Sequence, residues 1–179
     1  MKFNKIMLSA ILVFGTSSMA QADEPGKDPV LGQIGKVTFS GKIVDAPCSI
    51  APESVDQTVE MGSIANGVLK AGGKSTPQPF MLKLTDCDVA TKKSVVTTFT
   101  GGASESKDGH LGVIGSAKGI SVGIGDTSGN LIVLGKPVPN ELIVGSNELN
   151  FTTFVKGDAD GAITPGEFQA VAGFTLAYQ

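Results

Sequence analysis

Gly166-Glu167-Phe168-Gln169-Ala170-Val171-Ala172-Gly173-Phe174-Thr175-Leu176-Ala177-Tyr178-Gln179 is the final stretch of the chain. Phe168, Ala170, Ala172, Phe174, Leu176 and Tyr178 stand on alternate positions, so in an extended backbone they project from one face. A strand this regular at the end of the sequence has no following hairpin to cover it. Both its edges are therefore expected to find partners elsewhere in the fold or on another molecule. The spacing thus predicts an apolar-faced strand and points toward assembly.

The opposite end carries an export signal. Lys2 and Lys5 precede an apolar run from Ile6 to Phe14, and Ala20-Gln21-Ala22 supplies the small residues of a cleavage site. The run is too short to span a bilayer. Residues 1–22 are therefore read as a signal peptide, leaving 179 − 22 = 157 residues, enough for one domain with a sizeable core. The mature formal charge is (14 − 2) − 17 = −5, and every basic residue is lysine. Arginine is the preferred bidentate ligand of phosphate and base edges, and these lysines are dispersed, so a nucleic-acid partner is not expected.

Composition fits a secreted β protein: 24 glycines and no Trp, with short Val-, Ile- and Thr-rich runs between glycine clusters. The expected strands are Val37–Phe39, Lys42–Val44, Gln57–Met61, Phe80–Thr85, Ser94–Thr100, Ile120–Ile124, Leu131–Leu134, Asn150–Lys156 and the terminal segment. Only Ala65–Ala71 has a short helical period. Strands at this spacing suggest a β-sandwich. Cys48 and Cys87 are the two cysteines of an exported chain, and the simplest reading is one disulfide. No histidine stands near either of them, which weighs against a metal pair.

These elements resemble the structural subunits of chaperone–usher fimbriae, and most nearly the major rod subunits of P-type pili. The residues that carry the likeness are Gly35-Lys36-Val37-Thr38-Phe39-Ser40-Gly41, then Ile43-Val44-Asp45-Ala46-Pro47-Cys48-Ser49-Ile50, Ala71-Gly72-Gly73, Leu84-Thr85-Asp86-Cys87, and the terminal strand with its leading Gly166 and penultimate Tyr178. The resemblance implies an all-β, incomplete immunoglobulin-like β-sandwich, completed by a donor strand from a chaperone or a neighbouring subunit. It also implies a division into signal peptide (1–22), amino-terminal donor-strand arm (23–36, extending to about 41) and pilin domain (37–179). The implied partners are a periplasmic chaperone, an outer-membrane usher, other pilus subunits and further copies of the chain itself. The implied location, after passage through the periplasm, is a cell-surface fimbrium used in adhesion.

Parity separates two faces of the arm. Gly35, Val37, Phe39 and Gly41 lie on one, and Val30, Gly32, Ile34, Lys36 and Thr38 on the other. The first set matches the family pattern and leaves Lys36 outside the groove; a bulge upstream would favour the second. Val37 and Phe39 also suit the start of the domain's own first strand. Gly166, Phe168, Ala170, Ala172, Phe174, Leu176 and Tyr178 are implied as the strand that borders the groove and is held by the chaperone, beside the plainer reading of an amphipathic core strand. An exposed Tyr178 would suit a protein interface.

Other motifs are weaker. Asp158, Asp160, Gly161, Ile163 and Glu167 match five positions of a calcium-binding helix–loop–helix, but Lys156 occupies the first ligand position, Pro165 interrupts the loop and the flanks alternate as strands. A solvated turn is the better reading. His110, the single histidine, leaves zinc and Ser-His-Asp chemistry without their usual groups and is expected in a glycine-rich surface loop. Gly123-Ile124-Gly125 misses dinucleotide spacing. The sequence thus points to a non-enzymatic, homopolymerising fimbrial subunit with no cofactor and no metal. The alternatives are a minor adaptor or terminator subunit, or a monomeric secreted sandwich that binds carbohydrate or calcium.

Overall fold

The computed structural model describes residue 32, residues 35–105 and residues 108–179. The expected signal peptide and the upstream part of the arm lie outside the described residues. The chain divides into two units, residues 1–42 and 43–179. In the first unit the described residues form neither helix nor strand, and Val37 and Phe39 are 74% and 91% exposed. The strands expected at Val37–Phe39 and Lys42–Val44 therefore do not form here: those runs have the apolar residues of a strand but no neighbouring strand to take their backbone hydrogen bonds.

Among the described residues the second unit has ten strands: β1 (Ser49–Ile50), β2 (Gln78–Cys87), β3 (Ser94–Gly101), β4 (Ile114–Gly115), β5 (Ile120–Gly125), β6 (Leu131–Ile132), β7 (Pro137–Glu141), β8 (Gly145–Gly157), β9 (Phe168–Gln169) and β10 (Ala172–Tyr178). Two four-residue helices, α1 (Pro52–Val55) and α2 (Asn66–Leu69), and a short 3-10 turn at Lys70–Gly72 fill the β1–β2 connection. The strands form a five-stranded sheet β1-β2-β8-β5-β6, a three-stranded sheet β10-β3-β7 and a β4-β9 pair, every pairing antiparallel.

Alternation explains the layers. In β2, Leu82 and Leu84 point inward; opposite them in β8, Leu149, Phe151, Thr153 and Val155 do the same, with Leu82 facing Leu149. From the smaller sheet β3 contributes Val95, Thr97 and Phe99. Phe99 meets Phe151 edge-on at 4.9 Å between ring centres and Phe80 at 6.1 Å. Such edge-to-face pairs add to the apolar burial that holds the two sheets together. Cys48 and Cys87 form the disulfide read from the sequence, and both are buried.

On the outer face of the large sheet, Phe154 crosses directly over Gly123, where a Cβ would come within 2.4 Å of the ring. His110 covers that ring edge-on at 6.1 Å and Lys74 Nζ lies 4.9 Å from its centre. His110 is 6% exposed, with Nδ1 3.0 Å from the Asp108 carbonyl. The expected surface position of His110 is thus corrected: its loop folds over Phe154, and the imidazole gains apolar cover there.

An open groove beside the terminal strand

The terminal segment keeps the phase read from the sequence but is not one strand. β9 pairs with β4, the chain is unpaired at Ala170–Val171, and β10 then pairs with β3 from Ala172↔Gly101 to Tyr178↔Val95. The break is where Gly101 packs closely. A Cβ there would lie 2.4 Å from Leu111 Cδ2 and 2.7 Å from the Val171 carbonyl. Phe168, Ala170, Phe174, Leu176 and Tyr178 are half-buried and pack on the core, whereas Ala172 and Gly166 are exposed. Only one edge of β10 is paired. Its other edge has no strand partner among the described residues.

That free edge borders a groove of about 1030 Å³. One rim is the segment from Ser54 to Ile64, and the other runs from Ile163 to Phe174. The floor is formed by Phe80 and Leu82 of β2, Phe99 of β3, Val122 and Ile124 of β5, and Thr153 of β8. The first rim leaves α1 at Val55 and is irregular beyond it, so the strand expected at Gln57–Met61 does not form. Side chains serve β2 there instead. Ser54 Oγ accepts the Lys83 N–H at 2.9 Å, and Gln57 Nε2 donates to the Met81 carbonyl at 3.1 Å. The result is a cleft with polar rims over a mostly apolar floor, flanked by an edge strand that has no strand partner on that side among the described residues.

Tyr178, expected to be an exposed aromatic, is half-buried, and burial raises its phenol pKa above the usual 10.0. Its raised value means that this contribution to stability is complete below the unfolded pKa and is lost as pH rises through the folded one. Alkaline titration is therefore expected to loosen the β10 end, and Tyr178→Phe to remove that pH dependence, read by hydrogen exchange at Leu176 and Ala177. An unchanged alkaline profile in Tyr178→Phe would contradict the assignment.

The Asp158–Glu167 turn joins β8 to β9, strands rather than helices, so the calcium-site spacing lacks its helical frame. Among the described residues no group of three or more His, Cys, Asp or Glu side chains is placed to hold a metal. The arm residues Gly35, Val37, Phe39 and Gly41 are all exposed in the first unit. Sequence reasoning missed the Ser54–Ile64 rim. Its signal was indirect: Gln57–Met61 alternates like a strand, but Pro52 and Gly62 confine it.

A sandwich with one hydrophobic edge left open is the mark of a subunit completed by others, and the comparisons agree. Residues 37–179 match the family described as fimbrial protein. The chain is 52% identical to the fimbria A protein of Serratia marcescens and 42% identical to the major MR/P fimbria protein of Proteus mirabilis, with each chain covered in full in both cases. It is also 34% identical to the Pap fimbrial major pilin protein of Escherichia coli, covering 95% of this chain and 94% of that one. Among solved structures, the subunit of a chaperone–usher pilus rod studied for rod uncoiling superposes with a TM-score of 0.75 at 35% identity, over 85% of this chain and all of the other. The P pilus rod subunit PapA superposes at 0.66 and 35% identity, over 75% of this chain and all of that one. The molecule is a structural fimbrial subunit with an incomplete immunoglobulin-like fold. The chain belongs to the fimbrial protein family.

Proposed function

We propose that this chain is a rod-forming subunit that polymerises by donor-strand exchange, each copy inserting its amino-terminal arm into the groove of the next. The observation that carries the reading is the open groove beside the unpaired edge of β10. A strand laid there continues the β10-β3-β7 sheet. Backbone hydrogen bonds supply sequence-independent affinity, and alternate side chains in the groove set the register, the mode of strand addition for which pilin complementation is known. The inward face is Gly35, Val37, Phe39 and Gly41; the terminal strand from Gly166 through Phe168, Ala170, Ala172, Phe174 and Leu176 to Tyr178 forms the receiving edge.

Before assembly a periplasmic chaperone fills the same groove, because an apolar cleft of this size is an aggregation hazard if left open, and an outer-membrane usher receives the subunit. Residues 1–22 are removed on export, 23–36 with the next few residues form the arm, and 37–179 form the receiving domain. The role is mechanical and does not involve catalysis.

Removing Asp23–Gly41 tests this. Subunits without that segment are expected to reach the periplasm and to bind chaperone, yet to form no detergent-resistant polymer on gels. Normal polymer from the truncated chain would refute exchange through this arm.

A further inference from the structure

The charged residues that line the groove are Asp56 and Glu60 on one rim and Glu167 on the other; no lysine lines it. All three are exposed, and none has a cationic partner among the described residues, where the recorded ion pair is Glu53 with Lys83. A groove whose floor is apolar thus has lips of a single sign. The complementary sign belongs to the stretch that enters the groove, and the acids of the arm, Asp23, Glu24 and Asp28, lie upstream of it. From Gly35 to Lys42 it carries Lys36 and Lys42 and no acid. With Gly35, Val37, Phe39 and Gly41 inward, period-two alternation puts Lys36, Thr38, Ser40 and Lys42 on the outer face, level with the two rims.

We infer that Asp56, Glu60 and Glu167 form an acidic gate that selects and steers the lysine-bearing arm of a second copy of this chain. The inference rests on the donor-strand reading above. Exposed charges of this kind add little to the strength of a finished junction, because water and salt screen them. Their effect is on encounter: opposite fields raise the association rate, and like charges reject wrong strands. The apolar floor holds the arm, while the rims decide which arm arrives and how fast. Lys36 and Lys42 are accordingly specificity determinants even though neither is buried.

The test is the polymerisation of the full mature chain after dilution from denaturant. Its concentration dependence separates second-order joining from first-order folding. Raising NaCl from about 20 mM to about 300 mM shortens the screening length severalfold and is expected to slow wild-type joining by about threefold to tenfold. The triple variant Asp56→Asn, Glu60→Gln, Glu167→Gln is expected to join slowly at low salt and to show a flattened salt dependence. Lys36→Gln with Lys42→Gln is expected to do the same. Reversing both sides in one chain, Glu60→Lys and Glu167→Lys with Lys36→Glu and Lys42→Glu, is expected to restore the low-salt rate, an outcome that a misfolded variant would not give.

Salt-independent joining of the wild type, or a triple variant with the wild-type rate and slope, would overturn the gate. The truncation lacking Asp23–Gly41 distinguishes the two levels. If it polymerises, the donor-strand reading fails; if it does not, and the rates ignore charge, only the gate fails.

Discussion

Gly35→Arg is expected to abolish polymer while leaving the monomer folded. Among the described residues, no heavy atom outside its chain neighbours lies within 4 Å of where a Cβ at Gly35 would stand, so the position itself leaves room for a side chain in the subunit. The clash arises only when the arm lies in a neighbour's groove, where overpacking costs about 1 to 3 kcal/mol and repeats at every junction. Phe39→Ala isolates the complementary term. Phe39 is 91% exposed in the subunit itself, so its truncation removes no packing there. Full burial of that ring in a neighbour would make the loss about 3 kcal/mol, on the order of a hundredfold in the junction equilibrium. Ile34→Ala, on the other face, is expected to change little. The measurement is polymer yield and the temperature at which detergent-resistant ladders collapse, each against the level of chaperone-bound monomer. Normal polymer from Gly35→Arg together with a block by Ile34→Ala would reverse the parity of the arm.

The strands that were legible in the sequence are those with an alternating pattern and a buried face on both flanks. β2, β3 and β8 overlap their expected ranges because each has an inward set of apolar residues that a one-residue slip would expose, whereas β5, buried along its whole length, was legible as a short apolar run bounded by glycines. The phase of β10 was legible for the same reason. Of the short pair β4-β9, the β9 part, Phe168–Gln169, falls inside the expected terminal strand, but the partner β4 was not legible, since two residues carry no period. β7 was hidden by its prolines, which argue against a central strand. The structure accommodates them at an edge: Pro137 and Pro139 are two apart, so the positions of their missing N–H groups face the same side, and β7 is the outermost strand of its sheet.

Pairing was harder to read than strand character. Val37–Phe39, Lys42–Val44 and Gln57–Met61 have strand composition, yet none pairs in the subunit alone. Composition reports what a segment could join, whereas a strand exists only where another backbone takes up its hydrogen bonds. The groove was therefore legible only through family resemblance. No residue pattern announces a missing strand, and the rim from Ser54 to Ile64 is irregular in its own right. His110 was misjudged for a related reason: its glycine-rich flanks suggest a surface loop, but the packing partner that buries it, Phe154, lies 44 positions away on the outer face of β8.

Cys48→Ser or Cys87→Ser is expected to remove most of the subunit from the periplasm. The bond closes a loop with a sequence separation of 39. On the chain-entropy model, closure of that length contributes about 4 kcal/mol by restricting the unfolded chain. Domains of this size have a total stability of about 5 to 15 kcal/mol, so the loss is a large fraction of the whole. A subunit with an open groove sits toward the low end of such a range, because among the described residues the free edge of β10 lacks the backbone hydrogen bonds a further strand would provide. The position of the bond adds to its effect. Cys48 immediately precedes β1, and Cys87 ends β2, whose outer edge is held by the two β1 residue pairs, the Ala51 N–H to Lys83 carbonyl bond, the side chains of Ser54 and Gln57 and the exposed Glu53–Lys83 ion pair. Without the bond that edge is free to peel, and the Ser54–Ile64 rim of the groove goes with it. The expected order is that thermal stability falls first, chaperone-bound yield second, and polymer yield most of all. Melting of the purified chaperone complex and immunoblots of periplasmic fractions, with and without reductant during expression, give the measurement. Wild-type yield from either serine variant, or free thiols at both positions in assembled fibres, would show that the large sheet holds its edge without the crosslink.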